Sequence, residues 1–266
     1  MEVKYLTEVE ALALKKLKIF KQSRLRSILR SMVASMFIGF GVIVAFKTGN
    51  FFFMVDSPMA YPMAALVFGA AIILIAYGGG DLFTGNTFYF TYAALRKKIS
   101  WNEVFKVWGT SYLGNILGAV CFALLIYLTG LFNSPDVNKF LLYVAEHKVN
   151  APVSELFFRA ILCNWLVCLA FFIPMTLKGD GPKLFAMVLF VFCFFISGYE
   201  HSIANMCTFA IALVLDQEPA INFVSVIRNL IPVTIGNLIG GVFFMGVMYH
   251  FINKPFMDLD EEEEQQ

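Results

Sequence analysis

Charged residues are scarce in this chain of 266 residues, at 15%, whereas 59% of the residues are hydrophobic. A soluble domain is about 25% charged and about 45–50% apolar, so water does not solvate this much apolar surface. The net charge is only +1, and without a basic field nucleic-acid binding has no support. All five cysteines lie in apolar runs, which indicates small core residues and no disulfide or metal framework. The composition predicts an integral membrane protein without a cofactor.

Long apolar stretches take up most of the sequence. A helix that spans the membrane needs roughly 20 apolar residues, and six stretches meet this requirement. They cover residues 28–48, 59–95, 105–130, 155–176, 184–215 and 223–252. The second and fifth are too long for one plain crossing, and each has glycines and polar residues in its middle. We therefore expect an all-α membrane protein of six transmembrane helices in which helices 2 and 5 are broken.

Lys and Arg are concentrated in the N-terminal arm and in every second connection between the apolar stretches. They occur in the N-terminal arm and in the connections near residues 96–98 and 178–183. Because cytoplasmic connections carry the excess of Lys and Arg, both termini are expected in the cytoplasm. Basic residues also interrupt the N-terminus too often for a signal peptide. Residues 1–26 form either an amphipathic helix on the inner membrane face or a solvated arm. Residues 27–252 form the membrane domain, and 253–266 an acidic cytoplasmic tail without regular structure.

Two short motifs recur in the same order in both halves of the chain. Residues 79–86 and 198–205 share glycine, then an acid two positions later, then asparagine five positions after the acid. Residues 114–118 and 236–240 share Gly-Asn-x-x-Gly, in which small residues let spans three and six approach closely and asparagine bonds across. Each half, at about 27–130 and 155–252, holds three spans. An odd number implies an inverted repeat, whose broken helices meet near the bilayer midplane and form the site.

The breaks contain ionisable residues at membrane depth, which are candidates for function. Half-helix N-termini carry partial positive charge and free N–H groups, and therefore favour a small anion. Asp81 and Glu200 hold equivalent positions, and we expect them to accept backbone hydrogen bonds that tie down the breaks. His201 has Leu82 as its equivalent. His201 is expected to line the pore, and the alternative is a buried core histidine with its hydrogen bonds satisfied. Thr84 either orients His201 or caps a helix.

Other candidates lie close to the breaks or in the outer connection. The chain has 30 phenylalanines, and Phe68, Phe83 and Phe194 are near enough to the breaks to form hydrophobic constrictions. Lys148, between spans three and four, either draws anions into an outer vestibule or is a solvated loop lysine.

At these residues the sequence resembles the formate/nitrite transporter family. The resemblance covers residues 23–249 and rests on Gly-Gly-Gly-Asp-Leu-Phe-Thr (78–84), Ser-Gly-Tyr-Glu-His-Ser-Ile-Ala-Asn-Met (197–206), Ile-Leu-Cys-Asn-Trp-Leu-Val-Cys (161–168) and the Gly-Asn pairs. It implies an aquaporin-like fold, a homopentamer with one pore per protomer in the bacterial inner membrane, passage of small monovalent anions, and no enzymatic activity.

The resemblance also assigns roles to individual residues. The expected pore residues are central His201 with Thr84 opposite and Asn164 beside it, a cytoplasmic constriction of Leu82 and Phe194 with Ile72, Phe83 and Val167 nearby, and Phe68 at the outer constriction. Lys148 and Glu200 would match the vestibule lysine and the glutamate behind the histidine. Within the family, the chain is most similar to the clostridial hydrosulfide channels. Hydrosulfide (HS⁻) is therefore the first expected substrate, and formate and nitrite are the alternatives, by passive or proton-coupled transport.

Two other classes of protein fit less well. A pore for neutral solutes, such as water, would have Asn-Pro-Ala in its breaks, but Asn86 and Asn205 are followed by Thr87 and Met206. An intramembrane enzyme could pair Ser202 with His201 as nucleophile and base. Neighbouring residues on one helical stretch point apart, however, and catalytic triads are recognised by their geometry.

Overall fold

The computed structural model describes the backbone of residues 2–263, with side chains over 4–134 and 136–255. All regular structure in this range is helical. The elements are α1 (Glu2–Gln22), α2 (Arg24–Phe53), α3 (Ala60–Phe68), α4 (Ala70–Gly78), α5 (Phe83–Leu95), α6 (Trp101–Thr129), α7 (Pro135–Asn150), α8 (Val153–Thr176), α9 (Asp180–Ile196), α10 (Ser202–Leu215), α11 (Phe223–Ile239), a π-helical segment (Gly240–Val247) and α12 (Met248–Glu263).

Five helical segments are long and apolar enough to cross a membrane. They are Arg24–Phe53, Ala60–Gly78, Trp101–Thr129, Val153–Thr176 and Phe223–Pro255, and the apolar helix Ser202–Leu215 is shorter. These segments make the chain a multi-pass membrane protein. Four of them follow predicted apolar stretches closely, because length and hydropathy determine them locally. Ala60–Gly78 covers only the first part of the predicted stretch 59–95, and the predicted stretch 184–215 is divided between α9 and the shorter α10.

The N-terminal segment is an amphipathic helix, but its apolar face does not lie on lipid. Leu6, Val9, Ala13, Leu17 and Phe20 recur at helical spacing and are buried. This face packs mainly against α5, with further contacts to α2 and α8. The apolar stripe of α1 is therefore covered by the helix bundle itself.

The helical structure is interrupted at both predicted breaks, and the backbone conformation is similar in the two breaks. α4 is followed by Gly79 (φ 75°), and Gly198 (φ 70°) comes shortly after the end of α9, so both breaks turn through the left-handed region that glycine adopts without strain. Leu82 and His201 are then extended, with φ near −99° and −107°, and immediately precede α5 and α10. Each break thus exposes a helix N-terminus inside the protein.

The Gly-Asn-x-x-Gly motifs act within their own halves. A Cβ on Gly118 would clash with the carbonyl oxygen of Met32, and one on Gly240 with that of Ile161. These glycines therefore let α6 lie directly on α2, and let the start of the π-helical segment that continues α11 lie directly on α8. The close approach predicted for spans three and six occurs against the first helix of each half.

The outer connection and the C-terminal end differ from expectation. α7 lies in a region predicted as a loop, and it buries Phe140, Leu141, Val144 and Val149 against α2, α10 and α11. Its apolar residues do recur at helical spacing, but the helix is too short and polar to count as a span. The tail expected to be irregular is helical through Glu263, and the rest of it, 264–266, lies outside the described residues.

Candidate functional site

The two breaks meet at one hydrogen bond between Thr84 and His201. The hydroxyl Oγ1 of Thr84 lies 3.1 Å from Nε2 of the imidazole, and both side chains are buried. His201 is also the N-cap of α10, because its Nδ1 accepts a hydrogen bond from the backbone N–H of Ala204 at 3.0 Å. A nitrogen that accepts carries no proton, so neutral His201 holds its proton on Nε2 and donates it to Thr84. An imidazolium would lose the cap, and the geometry therefore favours the neutral ring.

Two asparagines hold the breaks in place with equivalent hydrogen bonds. Asn115 on α6 accepts from the backbone N–H of Phe83 at 3.0 Å and donates to the carbonyl of Asp81 at 3.3 Å. Asn237 on α11 accepts from the N–H of Ser202 at 2.8 Å and donates to the carbonyl of Glu200 at 2.8 Å. Both are the asparagines of the Gly-Asn-x-x-Gly motifs. They satisfy backbone groups that a broken helix leaves unpaired.

The two acidic residues bind side chains and not backbone amides. Asp81 accepts from Lys16 at 2.8 Å and from Asn86 at 2.9 Å. Glu200 accepts from Lys148 at 2.9 Å and from Asn205 at 2.5 Å, through different oxygens. The expectation of backbone hydrogen bonds is therefore wrong. The recurrence of an acid and an asparagine five positions later is explained, since each asparagine holds the acid of its own break.

Each acid forms a largely buried ion pair with a lysine that lies outside its own broken helix. The side chains of Lys16 and Asp81 are 15% and 5% exposed, and those of Lys148 and Glu200 are 17% and 4% exposed. Burial lowers the pKa of Lys148, but the charge and hydrogen bond of Glu200 outweigh burial, so the pKa is raised from its ordinary value of 10.5. Lys148 is thus a charged member of a pair and not a solvated loop lysine. Sequence patterns did not identify Lys16, because its partner is 65 positions away.

Three cavities follow one another past this site. We name them by the orientation that the charge bias predicts. An outer one of about 30 Å³ reaches from Lys148 to His201, a central one of about 20 Å³ touches His201 and Leu82, and an inner one of about 610 Å³ opens beyond Leu82. Leu82 and Ile75 line both the central and the inner cavity, and therefore lie between them. His201 lines both the outer and the central cavity. Ile72 and Val167 also line the central cavity, on the expected side of the site.

Phe68 and Phe194 form one constriction. Both line the outer and the central cavity, and their ring centroids lie 6.1 Å apart at an interplanar angle of 89°. Phe194, which was expected beside Leu82, lines the central cavity together with Leu82 and Phe68, but it does not line the inner cavity. It comes from α9, which ends on the outer side of the break. Its ring also stacks on that of His201 at 6.0 Å, so it covers the central imidazole.

Two other predicted pore residues, Phe83 and Asn164, line none of the three cavities and pack against the helices that form the site. The ring of Phe83 packs edge-on against Tyr112 of α6 and lines none of the three cavities. Asn164 is fully buried and donates to the carbonyl oxygens of Thr84 at 3.3 Å and Asn237 at 2.6 Å. It joins the first turn of α5 to α11, and so holds Thr84 beside the histidine.

Paired helix breaks, apolar constrictions and a buried polar contact between them define a membrane transporter. The family model of the formate/nitrite transporters matches residues 4–251, and the chain belongs to this family. Because this is a family of transporters and channels, the prediction that the protein is not an enzyme is confirmed.

Several relatives match almost the whole chain. It is 63% identical over 253 residues to the uncharacterized transporter YwcJ of Bacillus subtilis (strain 168), covering 95% of this chain and 99% of the relative. It is 34% identical to the nitrite transporter NirC of Escherichia coli (strain K12), covering 86% and 85%. Among solved structures, an FNT family ion channel superposes with a TM-score of 0.89 at 32% identity over 94% and 99% of the chains. A pentameric formate channel with formate bound gives 0.77 at 28% identity over 87% and 98%.

Proposed function

We propose that this protein is a channel for small monovalent anions whose selective point is the contact between Thr84 and His201. The observation that carries the proposal is that this contact joins the N-terminal ends of α5 and α10 beside the central cavity, which His201 lines between the Phe68–Phe194 and Leu82 constrictions. Two half-helix N-termini therefore direct their partial positive charges at one point. An anion gains most there, where little water competes for it.

Hydrosulfide is the substrate that we propose first. The central cavity, at about 20 Å³, has room for one water-sized species. HS⁻ has a single heavy atom, whereas formate and nitrite have three, so HS⁻ requires the smallest movement of the constriction side chains. Formate and nitrite are the alternative substrates. Relatives named as nitrite transporters and the solved formate channel support them.

The path suggests how the energetic cost of dehydration is offset. An anion would enter past Lys148, whose charge Glu200 compensates, so the outer vestibule offers an ammonium group without a net positive field. It would lose water at the Phe68–Phe194 constriction, and leaving water for an apolar slot is costly without hydrogen bonds. The donor groups at Thr84 and His201 replace lost hydration. Leu82 would gate the inner side and move with the glycine-rich break that carries it.

We also propose the arrangement of the chain in the membrane. The matching anchors of the two breaks support six crossings in two inverted halves, 27–130 and 155–252, within a membrane domain of residues 27–252. Both termini would lie in the cytoplasm, with residues 1–26 packed under the bundle at the inner mouth and 253–266 as the acidic tail. The solved pentameric relative supports a homopentamer with one pore per protomer, in the inner membrane of a bacterium.

Anion flux through purified protein in liposomes tests the proposal. HS⁻, formate and nitrite are compared across a pH series, with osmotic swelling in glycerol as the control for a neutral-solute pore. The proposal predicts saturable flux of at least one anion, fastest for HS⁻, and no glycerol swelling. Flux fastest for formate or nitrite would overturn the substrate assignment. Glycerol swelling without anion flux would overturn the channel assignment.

A further inference from the structure

The inner cavity holds a guanidinium group that the site described above does not use. Arg30 on α2 lines this cavity together with Gly79, Gly80 and Leu82. Its two terminal nitrogens lie 3.6 and 3.7 Å from the position a Cβ would take on Gly79. The guanidinium therefore lies directly over the glycines of the break, at the base of the cavity where Leu82 begins the constriction.

No carboxylate in the described part of the chain pairs with Arg30. Its Nε atom is buried and makes no hydrogen bond. The nearby acid, Asp81, is already held by Lys16 and Asn86. A buried donor without a partner is costly, and a guanidinium presents five donors suited to an anion. This position is therefore preorganised for a negatively charged ligand.

The other half of the chain shows why the lack of a partner matters. The backbone carbonyl of Arg30 accepts from the N–H of Asp81, and that of Arg159 accepts from the N–H of Glu200, so the two arginines hold equivalent positions. Arg159 forms an ion pair with Glu155, four residues earlier on the same helix. Four residues before Arg30 the chain has Arg26. The outer arginine is neutralised, and the inner one is not.

We propose that Arg30 binds the permeating anion at the base of the inner cavity and so determines how readily the channel loads from the side of α1. This inference rests on the proposed anion-channel function. Arg30 acts as a specificity residue of the entry step, since its guanidinium attracts small anions before Leu82 and the dry central cavity are reached. Anions that enter from the opposite side meet no unpaired guanidinium at the equivalent position, because Arg159 is paired with Glu155.

Planar-bilayer recording with formate, nitrite or HS⁻ on one side at a time tests the proposal. In Arg30→Gln, the anion concentration for half-maximal current from the α1 side should rise roughly threefold to tenfold, and that from the other side should stay unchanged. Arg30→Lys should retain part of the effect. Arg159→Gln, the same change at the equivalent position, should leave both sides unchanged.

A second variant leaves Arg30 in place and supplies the partner that Arg159 already has. Arg26→Glu should mimic Arg30→Gln, because a glutamate four residues earlier can pair with the guanidinium. Arg24→Glu makes the same charge change elsewhere on the exposed start of α2, and should not. An equal effect of Arg24→Glu would show a general surface-charge effect and overturn the proposal, as would unchanged half-saturation in Arg30→Gln.

Anomalous diffraction with bromide as the probe anion separates this inference from the channel function. Bromide density at the guanidinium in wild type, and its loss in Arg30→Gln, is expected whether or not the protein conducts. Conduction without bromide at Arg30 would overturn this inference alone. Bromide at Arg30 in a wild-type protein that passes no anion would overturn the proposed function, and with it the role of Arg30 in loading.

Discussion

Thr84 and His201 are 117 positions apart, yet their side chains lie 3.1 Å apart at the meeting point of two helix N-termini. The imidazole is held at both nitrogens, since Nδ1 caps α10 through Ala204. This arrangement makes the histidine a structural cap and a hydrogen-bond donor at once. Substitutions that retain one function and remove the other can therefore separate the two.

His201→Asn should keep the fold and a measurable anion flux. Asparagine is among the best N-cap residues, and its amide can still donate toward Thr84. His201→Phe removes both functions, and should lose flux and roughly 1 kcal/mol of stability. Liposome flux across a pH series and thermal denaturation in detergent measure these effects. Because the cap favours the neutral ring, the dependence of anion flux on pH should be retained in His201→Asn. Loss of this pH dependence would identify the histidine as a proton donor to the anion.

Thr84→Val keeps the side-chain shape but removes the acceptor of the histidine proton. The buried Nε2–H would then lack a partner, at a cost of roughly 1–3 kcal/mol. We expect lower thermal stability and altered anion selectivity in flux assays. Thr84→Ser retains the hydroxyl and serves as the control. Equal behaviour of the two variants would mean that the hydroxyl does not orient the ring.

Glu200→Gln should destabilise the protein more than loss of the whole ion pair. The substitution leaves the ammonium of Lys148 buried without its counter-charge, at a cost of roughly 3 kcal/mol, which Glu200→Gln with Lys148→Met should partly recover. Glu155→Gln in the exposed pair with Arg159 is the control, with a cost below about 1 kcal/mol. A double variant as unstable as the sum of the two single variants would contradict the pairing.

The ion pair should contribute the same stability at neutral and mildly alkaline pH. The pKa of Lys148 is raised above 10.5, so its stabilisation is fully present below the pKa of the unfolded chain. It is lost only as the pH rises through the higher folded value. The difference in melting temperature between wild type and Lys148→Met should therefore be constant from roughly pH 6 to 9. A difference that shrinks within this range would contradict the predicted charge state.

Gly118→Ala should destabilise the membrane domain, whereas Gly109→Ala on the same helix should not. A Cβ on Gly118 meets the backbone of Met32, which cannot move aside, while a Cβ on Gly109 meets nothing within 4 Å. Forcing α6 away from α2 should cost roughly 1–3 kcal/mol. Melting temperatures in detergent provide the comparison. Equal effects of the two alanines would show that close packing of α6 on α2 is unimportant.

Leu82→Ala should join the central cavity to the inner one and raise the anion conductance. The two cavities share two lining side chains, those of Leu82 and Ile75. Leu117→Ala on the exposed face of α6 is a matched control, since that leucine is 43% exposed and lines none of these cavities. Unchanged single-channel conductance in Leu82→Ala would place the narrow point elsewhere.

Much of the fold could be predicted from the sequence, because its causes are local. Apolar length determined four of the spanning segments, and glycines that adopt positive φ marked both breaks. The recurring motifs identified Asn115 and Asn237 as helix-contact residues, and Thr84 was predicted beside His201. These features depend on hydropathy, spacing and backbone conformation, all of which are visible along the chain.

Only the tertiary structure decided which distant groups face one another. Three features depend on how helices pack: the pairing of Lys16 with Asp81, the placement of Phe194 beside Phe68 and the buried Nε of Arg30 without a hydrogen-bond partner. The packing of the helices determines which of several chemically similar side chains contacts a given partner. A lysine in an amphipathic arm has the same local pattern whether it meets water, lipid headgroups or a buried acid. The sequence by itself therefore determined where the helices break, and the tertiary structure decided what those breaks hold.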